Sequence, residues 1–350
     1  MARVGASDEG TLARGFAPHP SAFASRRHPP SPSRGEGLCA FIFALFIFVF
    51  AFSSAGSAAA GAWTASERLE TARAGLAAAT SGGLIYVGGG SAAGDPAVAF
   101  DVFDGEKESW RPLPALPKGL TNFAMTASDR FVFIAGGFAA DAPGEARKDI
   151  WAFDIQNASW TRRSPMPHAR AGHAMAQVGG LVYVIGGSGP SAERTLVYNP
   201  TTDKWLIGAA LGVPRRALAA ATDGKRIYAV GGIKSDGGVS SALEVFDPAS
   251  GAWSALAPLP GARGALTAGI IKGQLHVAGG ATWTPLKTYN NHDVFDLASK
   301  TWSKAPPMPT SRQGLASGVS GGRWWAIGGG GGAGVFGVFT TSDAVEGYEP

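Results

Sequence analysis

Five arginines recur on one beat, at Arg73, Arg170, Arg215, Arg263 and Arg312, with Leu120 at the remaining position of the series. A guanidinium is a planar fork of donors that grips a carboxylate or phosphate through two parallel hydrogen bonds. Gathered at one place, five such groups would form a site for an anionic ligand. The same regularity also suits a structural bridge from each arginine to backbone carbonyls or a nearby acid, Glu67 and Glu70 among them. His173 stands where the other repeats place Leu76, Phe123, Leu218, Leu266 and Leu315, a polar group on an otherwise apolar wall. Trp283, followed by Tyr289, Asn290, Asn291, His292 and Asp293, offers a ring to stack on a sugar and amides to bond its hydroxyls. The alternative is that Trp283 packs on a neighbouring loop and Tyr289 begins a strand. The expected ligand-binding set is therefore Arg73, Arg170, His173, Arg215, Arg263, Arg312 and Trp283.

No residue declares itself catalytic, and the available acid–base groups are Asp141, Glu145 and His173. His168 and His173 lie five apart with no H-E-x-x-H or H-x-H spacing, so neither a metal nor a cofactor is expected. The glycine run beginning at Gly328 lacks the Lys-Ser/Thr of a phosphate loop and reads as a flexible loop.

These side chains are positioned by a repeat. A short apolar run ends in Gly-Gly six times, with first glycines Gly88, Gly136, Gly186, Gly231, Gly279 and Gly328. Tryptophan keeps the beat at Trp63, Trp110, Trp160, Trp205, Trp253 and Trp302, and each arginine follows its tryptophan by ten residues. Seven residues before each of the last five tryptophans stands Phe103, Phe153, Tyr198, Phe246 or Phe295, followed by a turn-favouring Asp or Asn. Each period has room for four short strands and none for a helix. Glycine, at 51 of 350 residues, speaks against a helical bundle, and a charged fraction of 16% speaks against a disordered chain. Four-stranded sheets repeated six times about an axis make an all-β, six-bladed β-propeller over residues 61–350. The chain stops after the third strand of the last unit, while Gly61-Ala62-Trp63 is an orphan at the start. The N-terminal strand bearing Trp63 is therefore expected to complete the C-terminal blade and close the ring.

The arginine, the strand ending in Gly-Gly, the aromatic and the tryptophan together resemble the kelch repeat family. That resemblance implies that the arginines crowd one mouth of the central channel. Among exported kelch propellers, copper radical oxidases similar to galactose oxidase need a cysteine, and Cys39, the sole cysteine, precedes the repeats. Proteins similar to N-acetylneuraminate epimerases share the length and an arginine-rich mouth, but carry long inserted loops that this chain lacks.

Residues 1–60 read as a leader. A basic stretch precedes an uncharged run over residues 38–52, and Ala58-Ala59-Ala60 supplies a signal-peptidase site with cleavage expected after Ala60. The alternative is an uncleaved anchor, the one case in which a membrane is involved. The repeats carry 25 Lys and Arg against 23 Asp and Glu, which gives no reason to expect nucleic-acid binding. The sequence thus predicts a periplasmic or secreted monomeric module that recognises a sugar, a peptide, an envelope protein or a small anion at its channel mouth. A mutarotase or epimerase acting on an anionic sugar is the alternative.

Overall fold

Within each repeat, short β-rich segments are joined by tight turns, so every strand meets its partner locally as an antiparallel hairpin. The turn between the third and fourth strands is set by its acid. The Asp104 carboxylate accepts the backbone N–H groups of Glu106 and Lys107, and Asp154, Asn199 and Asp296 act alike. A computed structural model describes residues 61–350 except 143, 334, 335, 337 and 338. The leader, its apolar run and the expected cleavage site lie outside the described residues.

The architecture is a six-bladed propeller. Blade one is built, from the axis outward, of Ala77–Ser81, Leu84–Gly88, Phe100–Asp104 and Ser109–Pro112. Blades two to five repeat this order from the inner strands Ala124–Ala127, Ala174–Val178, Ala219–Thr222 and Thr267–Ile271. Blade six contains Ala316–Ser320, Arg323–Ile327 and Val345–Glu349, and its outermost strand is Ala62–Ala65. The N-terminal strand pairs antiparallel with Val345–Glu349, Trp63 opposite Tyr348, so the ring closes as expected.

The repeated aromatic and tryptophan meet in every blade. Phe103–Trp110, Phe153–Trp160, Tyr198–Trp205, Phe246–Trp253, Phe295–Trp302 and Trp63–Tyr348 have ring centroids 4.8–5.3 Å apart. Each tryptophan also ties its blade to the preceding one. Trp160 donates to the Pro114 carbonyl at 3.1 Å, Trp205 to Ser164 at 2.7 Å and Trp302 to Ala257 at 2.8 Å. The apolar interior is accordingly divided into six wedges between adjacent blades, such as Phe100, Met125 and Phe153 between blades one and two. No wedge belongs to one blade alone, so each blade needs its neighbours to bury its faces.

One register differs from the sequence reading. In blade one the glycine pair that turns away from the axis is Gly89–Gly90, whereas Gly88 ends the second strand. Gly89 and Gly90 have φ of 59° and 93°, and the N–H of Gly90 donates to the Leu120 carbonyl of blade two at 2.8 Å. A third glycine in the run hid the offset.

Candidate functional site

The glycine pair explains the arginine column. At each blade boundary the second glycine donates its N–H to the main-chain carbonyl of the arginine position of the next blade. The pairs include Gly137 to Arg170, Gly187 to Arg215, Gly280 to Arg312 and Gly329 to Arg73, at 2.8–3.0 Å. Each arginine side chain then folds back into its own blade. The Arg263 guanidinium donates to the carbonyls of Gly279 at 2.8 Å and Gly261 at 3.0 Å, and the Arg312 guanidinium to Gly328 and Ala344. Main chain and side chain of one residue thus pin two blades together.

The sequence reading placed these side chains at the channel mouth, but the structure puts them inside the blades. Arg73, Arg170, Arg215, Arg263 and Arg312 are 0–3% exposed. Four of them meet a carboxylate on the third strand: Arg73–Asp101 at 2.9 Å, Arg263–Asp293 at 2.8 Å, Arg312–Glu346 at 2.7 Å, and Arg215–Glu244. The acid always lies two residues before the third-strand aromatic, a column present in the sequence that spacing from tryptophan overlooked. Burial pulls the Arg215, Arg263 and Arg312 pKa values down, and the paired acids oppose that shift. Among the described residues Arg170 has no carboxylate in contact, and it donates to the carbonyls of Gly186, Ser191 and Arg194. Burial lowers its pKa to about 10, so it remains a cation at neutral pH.

The mouth itself is edged by backbone. Two residues after each arginine position, Gly75, Asn122, Gly172, Ala217, Ala265 and Gly314 all have φ between 50° and 68°. Their peptide groups form a closed circle. Gly75 donates to Gly314, Gly314 to Ala265, Ala265 to Ala217, Ala217 to Gly172, Gly172 to Asn122, and Asn122 back to Gly75, at 2.7–2.9 Å. Below this circle the channel wall is apolar, lined by Leu76, Phe123, Leu218, Leu266 and Leu315 with His173 among them. His173 is 5% exposed, and among the described residues neither ring nitrogen has a hydrogen-bond partner. Burial beside Arg170 pushes its pKa down to about 3, so it is a neutral wall residue.

The remaining candidates separate. Trp283 is half-buried on a hairpin of Ala281–Trp283 and Leu286–Thr288, while His292 and Asp293 are buried in the sheet. The set Trp283, His292 and Asp293 is therefore not one exposed surface. Asp141 is held well below the usual carboxylate range by Lys118, which it meets at 2.7 Å.

The groups left facing solvent at the mouth are ones the sequence reading did not select. A pocket of about 300 Å³ lies between blades three and four, lined by Glu193, Arg216 and Lys234 with Gly187, Ser188 and Pro214. Arg216 is exposed and Glu193 half-buried. Among the described residues neither side chain makes an ion pair or a hydrogen bond. Lys234 is held by Asp236 at 3.0 Å. The buried Arg215–Glu244 pair lies beneath, with Arg215 in the pocket wall. A signal for Arg216 was present, because the residue after the arginine position is otherwise Ala74, Thr121, Ala171, Gly264 or Gln313.

Comparison with known proteins agrees with this architecture. A family model described as Attractin/LZTR1 beta-propeller matches residues 84–336. Kelch-like protein 40 of Mus musculus is 27% identical over 190 residues, covering 53% of this chain and 30% of that protein. Kelch-like protein 36 of Mus musculus is 30% identical over 194 residues, covering 53% of this chain and 31% of that protein. The matches thus span about a third of the length of these curated relatives. The solved structure of YjhT superposes with a TM-score of 0.68 at 19% identity, covering 80% of this chain and 95% of that one. At that identity the likeness is one of fold.

Proposed function

The chain belongs to the Attractin/LZTR1 β-propeller family, and from that membership we propose that it serves as an exported kelch-type recognition module gripping a protein partner through its mouth face. The observation carrying this reading is the division of labour among charges. The arginines common to the repeats are consumed inside the blades, whereas Arg216 and Glu193, which belong to no repeated column, line one pocket and make no ion pair among the described residues. Spending the repeated charges on the scaffold and leaving the irregular ones exposed is how a rigid disc presents a specific surface on its loops. An acidic side chain fits Arg216 and a donor group fits Glu193, so a polar segment bearing both charges suits the pocket. Export rests on the leader, and cleavage after Ala60 would free the strand that closes the ring. N-terminal sequencing of the protein recovered from the cell envelope should begin at Gly61; recovery of intact leader there favours the anchored form.

The pocket gives the enzymatic reading one observation of its own, a carboxylate and a guanidinium that line the same space of about 300 Å³. There Arg216 would hold the carboxylate of an anionic sugar and Glu193 would exchange the proton needed for anomer interconversion. The two readings part in one experiment. Thermal unfolding with sugar acids and acidic peptides, alongside NMR anomer exchange, is run on the native chain, Arg216→Ala and Glu193→Gln. Binding lost in Arg216→Ala without anomer exchange supports the recognition module. Exchange lost in Glu193→Gln supports the enzyme, and no ligand effect dependent on either residue refutes the pocket.

A further inference from the structure

Two histidines sit at the seam where the ring closes, in columns that hold no histidine in any other blade. His276 occupies the position of Tyr86, Phe133, Tyr183, Tyr228 and Trp325, and His292 that of Phe100, Ile150, Thr195, Leu243 and Val345. They are 1% and 2% exposed, and His276 Nδ1 lies 2.9 Å from His292 Nε2. His292 Nδ1 lies 3.2 Å from the Pro306 carbonyl, which also accepts the Trp63 indole N–H at 2.8 Å. One carbonyl therefore holds both a histidine and the tryptophan of the closing strand. Trp63 packs against His292, Trp324 and Tyr348 with centroids 5.3–5.7 Å apart, and His292 stands edge-on to Tyr348 at 4.5 Å.

This geometry fixes the protons. His292 Nδ1–H donates to Pro306, so its Nε2 accepts the Nδ1–H of His276, and the chain needs His292 to stay neutral. A further proton at His292 Nε2 would face the His276 N–H directly. At His276 Nε2, which has no partner among the described residues, it would keep both hydrogen bonds but bury a charge without an acceptor among Trp324 and Tyr348. Nearby acids are already engaged, Asp293 by Arg263 and Glu346 by Arg312 and Thr310. The Arg263 cation adds repulsion, and the other groups packed around the pair are the neutral Trp63, Trp324 and Tyr348.

We propose that the His276–His292 pair is an acid-sensitive latch on the ring, whose protonation releases Trp63 and strand Ala62–Ala65 from blade six ahead of the other blades. The released state exposes an edge of blade six and frees the chain's N-terminal end from its last blade. With two protons taken up on opening, the open population rises on the order of 50-fold between pH 6 and pH 5.

The test is hydrogen exchange of the full chain from pH 7.5 to pH 5, corrected for the intrinsic pH dependence of exchange. The readouts are residues 62–65 and 345–349 against the blade-three strand 181–185. The latch predicts that the seam loses protection by about that factor between pH 6 and pH 5 while blade three keeps its own. It also predicts that His276→Tyr/His292→Leu, which installs the blade-four residues, keeps the seam closed at pH 5, whereas His173→Leu opens as the native chain does. Simultaneous loss of protection at the seam and in blade three overturns the proposal, as does a double variant that opens at the native pH. Should that variant not fold, the order of release in the native chain decides.

Discussion

Asp293→Ala isolates what the buried ion pairs contribute. The Arg263 and Asp293 side chains are 2% and 4% exposed, and the guanidinium meets the carboxylate at 2.8 Å and the carbonyls of Gly279 and Gly261 at 2.8 and 3.0 Å. Its last contact, to Val277, is stretched to 3.5 Å. Removing the carboxylate strands a buried cation whose second Nη then keeps only that weak acceptor. Breaking one side of a buried pair costs about 3–5 kcal/mol, because the surviving charge is uncompensated. Arg170 shows that carbonyls alone can hold a buried arginine, but it draws two from its loop, Ser191 and Arg194, that Arg263 lacks. A loss of about 3 kcal/mol is expected for Asp293→Ala and somewhat more for Arg263→Met, which leaves a bare carboxylate. Blade two supplies the control, since it carries Leu120 and Trp151 in the same two columns. Arg263→Leu/Asp293→Trp should cost at least about 2 kcal/mol less than the sum of the single changes at these contacting sites. Urea unfolding, followed by fluorescence and circular dichroism to check that the transitions coincide, reads all the variants. Asp293→Ala costing under about 1 kcal/mol, with a strictly additive double variant, would refute the argument that the pairs compensate buried charge.

Two further outcomes are expected from the same fold. Gly279 has φ of 67°, and a Cβ there would lie 2.6 Å from the Arg312 carbonyl, whereas at Gly273, φ 76°, it would meet nothing within 4 Å. Both alanine variants bear the left-handed penalty of about 1–2 kcal/mol, and only Gly279→Ala adds displacement of the blade junction, so its unfolding midpoint should fall clearly further. The second concerns acid. Burial holds His173, His276 and His292 at pKa values of about 3, 4 and 3, below the ordinary value of about 6.5. The unfolded chain therefore binds more protons than the native one below pH 6.5, and stability falls as pH drops through that value and on toward pH 4. From pH 7.5 to 5.5 the loss is about 1.3 kcal/mol per histidine, or about 4 kcal/mol for the three. His173→Leu should remove about a third of that pH dependence in urea titrations; an unchanged slope would mean that His173 titrates alike in the folded and unfolded chain.

The propeller was readable in the residues because its recurring contacts are local. Phe103 and Trp110 meet across one hairpin, Asp104 shapes its turn, and six copies of that unit with an orphan Trp63 leave a closed ring as the consistent solution. The arginine column was equally visible, yet its destination was not. Whether Arg263 faces solvent depends on Asp293, 30 residues away and two strands over, and on carbonyls that come into reach only when the sheet forms. The pocket between blades three and four joins Glu193 to Arg216 across a blade boundary, and no spacing within one repeat records that approach. His276 and His292 likewise became a pair only once Trp63, from the other end of the chain, packed beside them. Periodicity encodes what each residue does within its own blade; burial and charge pairing are properties of the space between elements, which only the assembled ring defines.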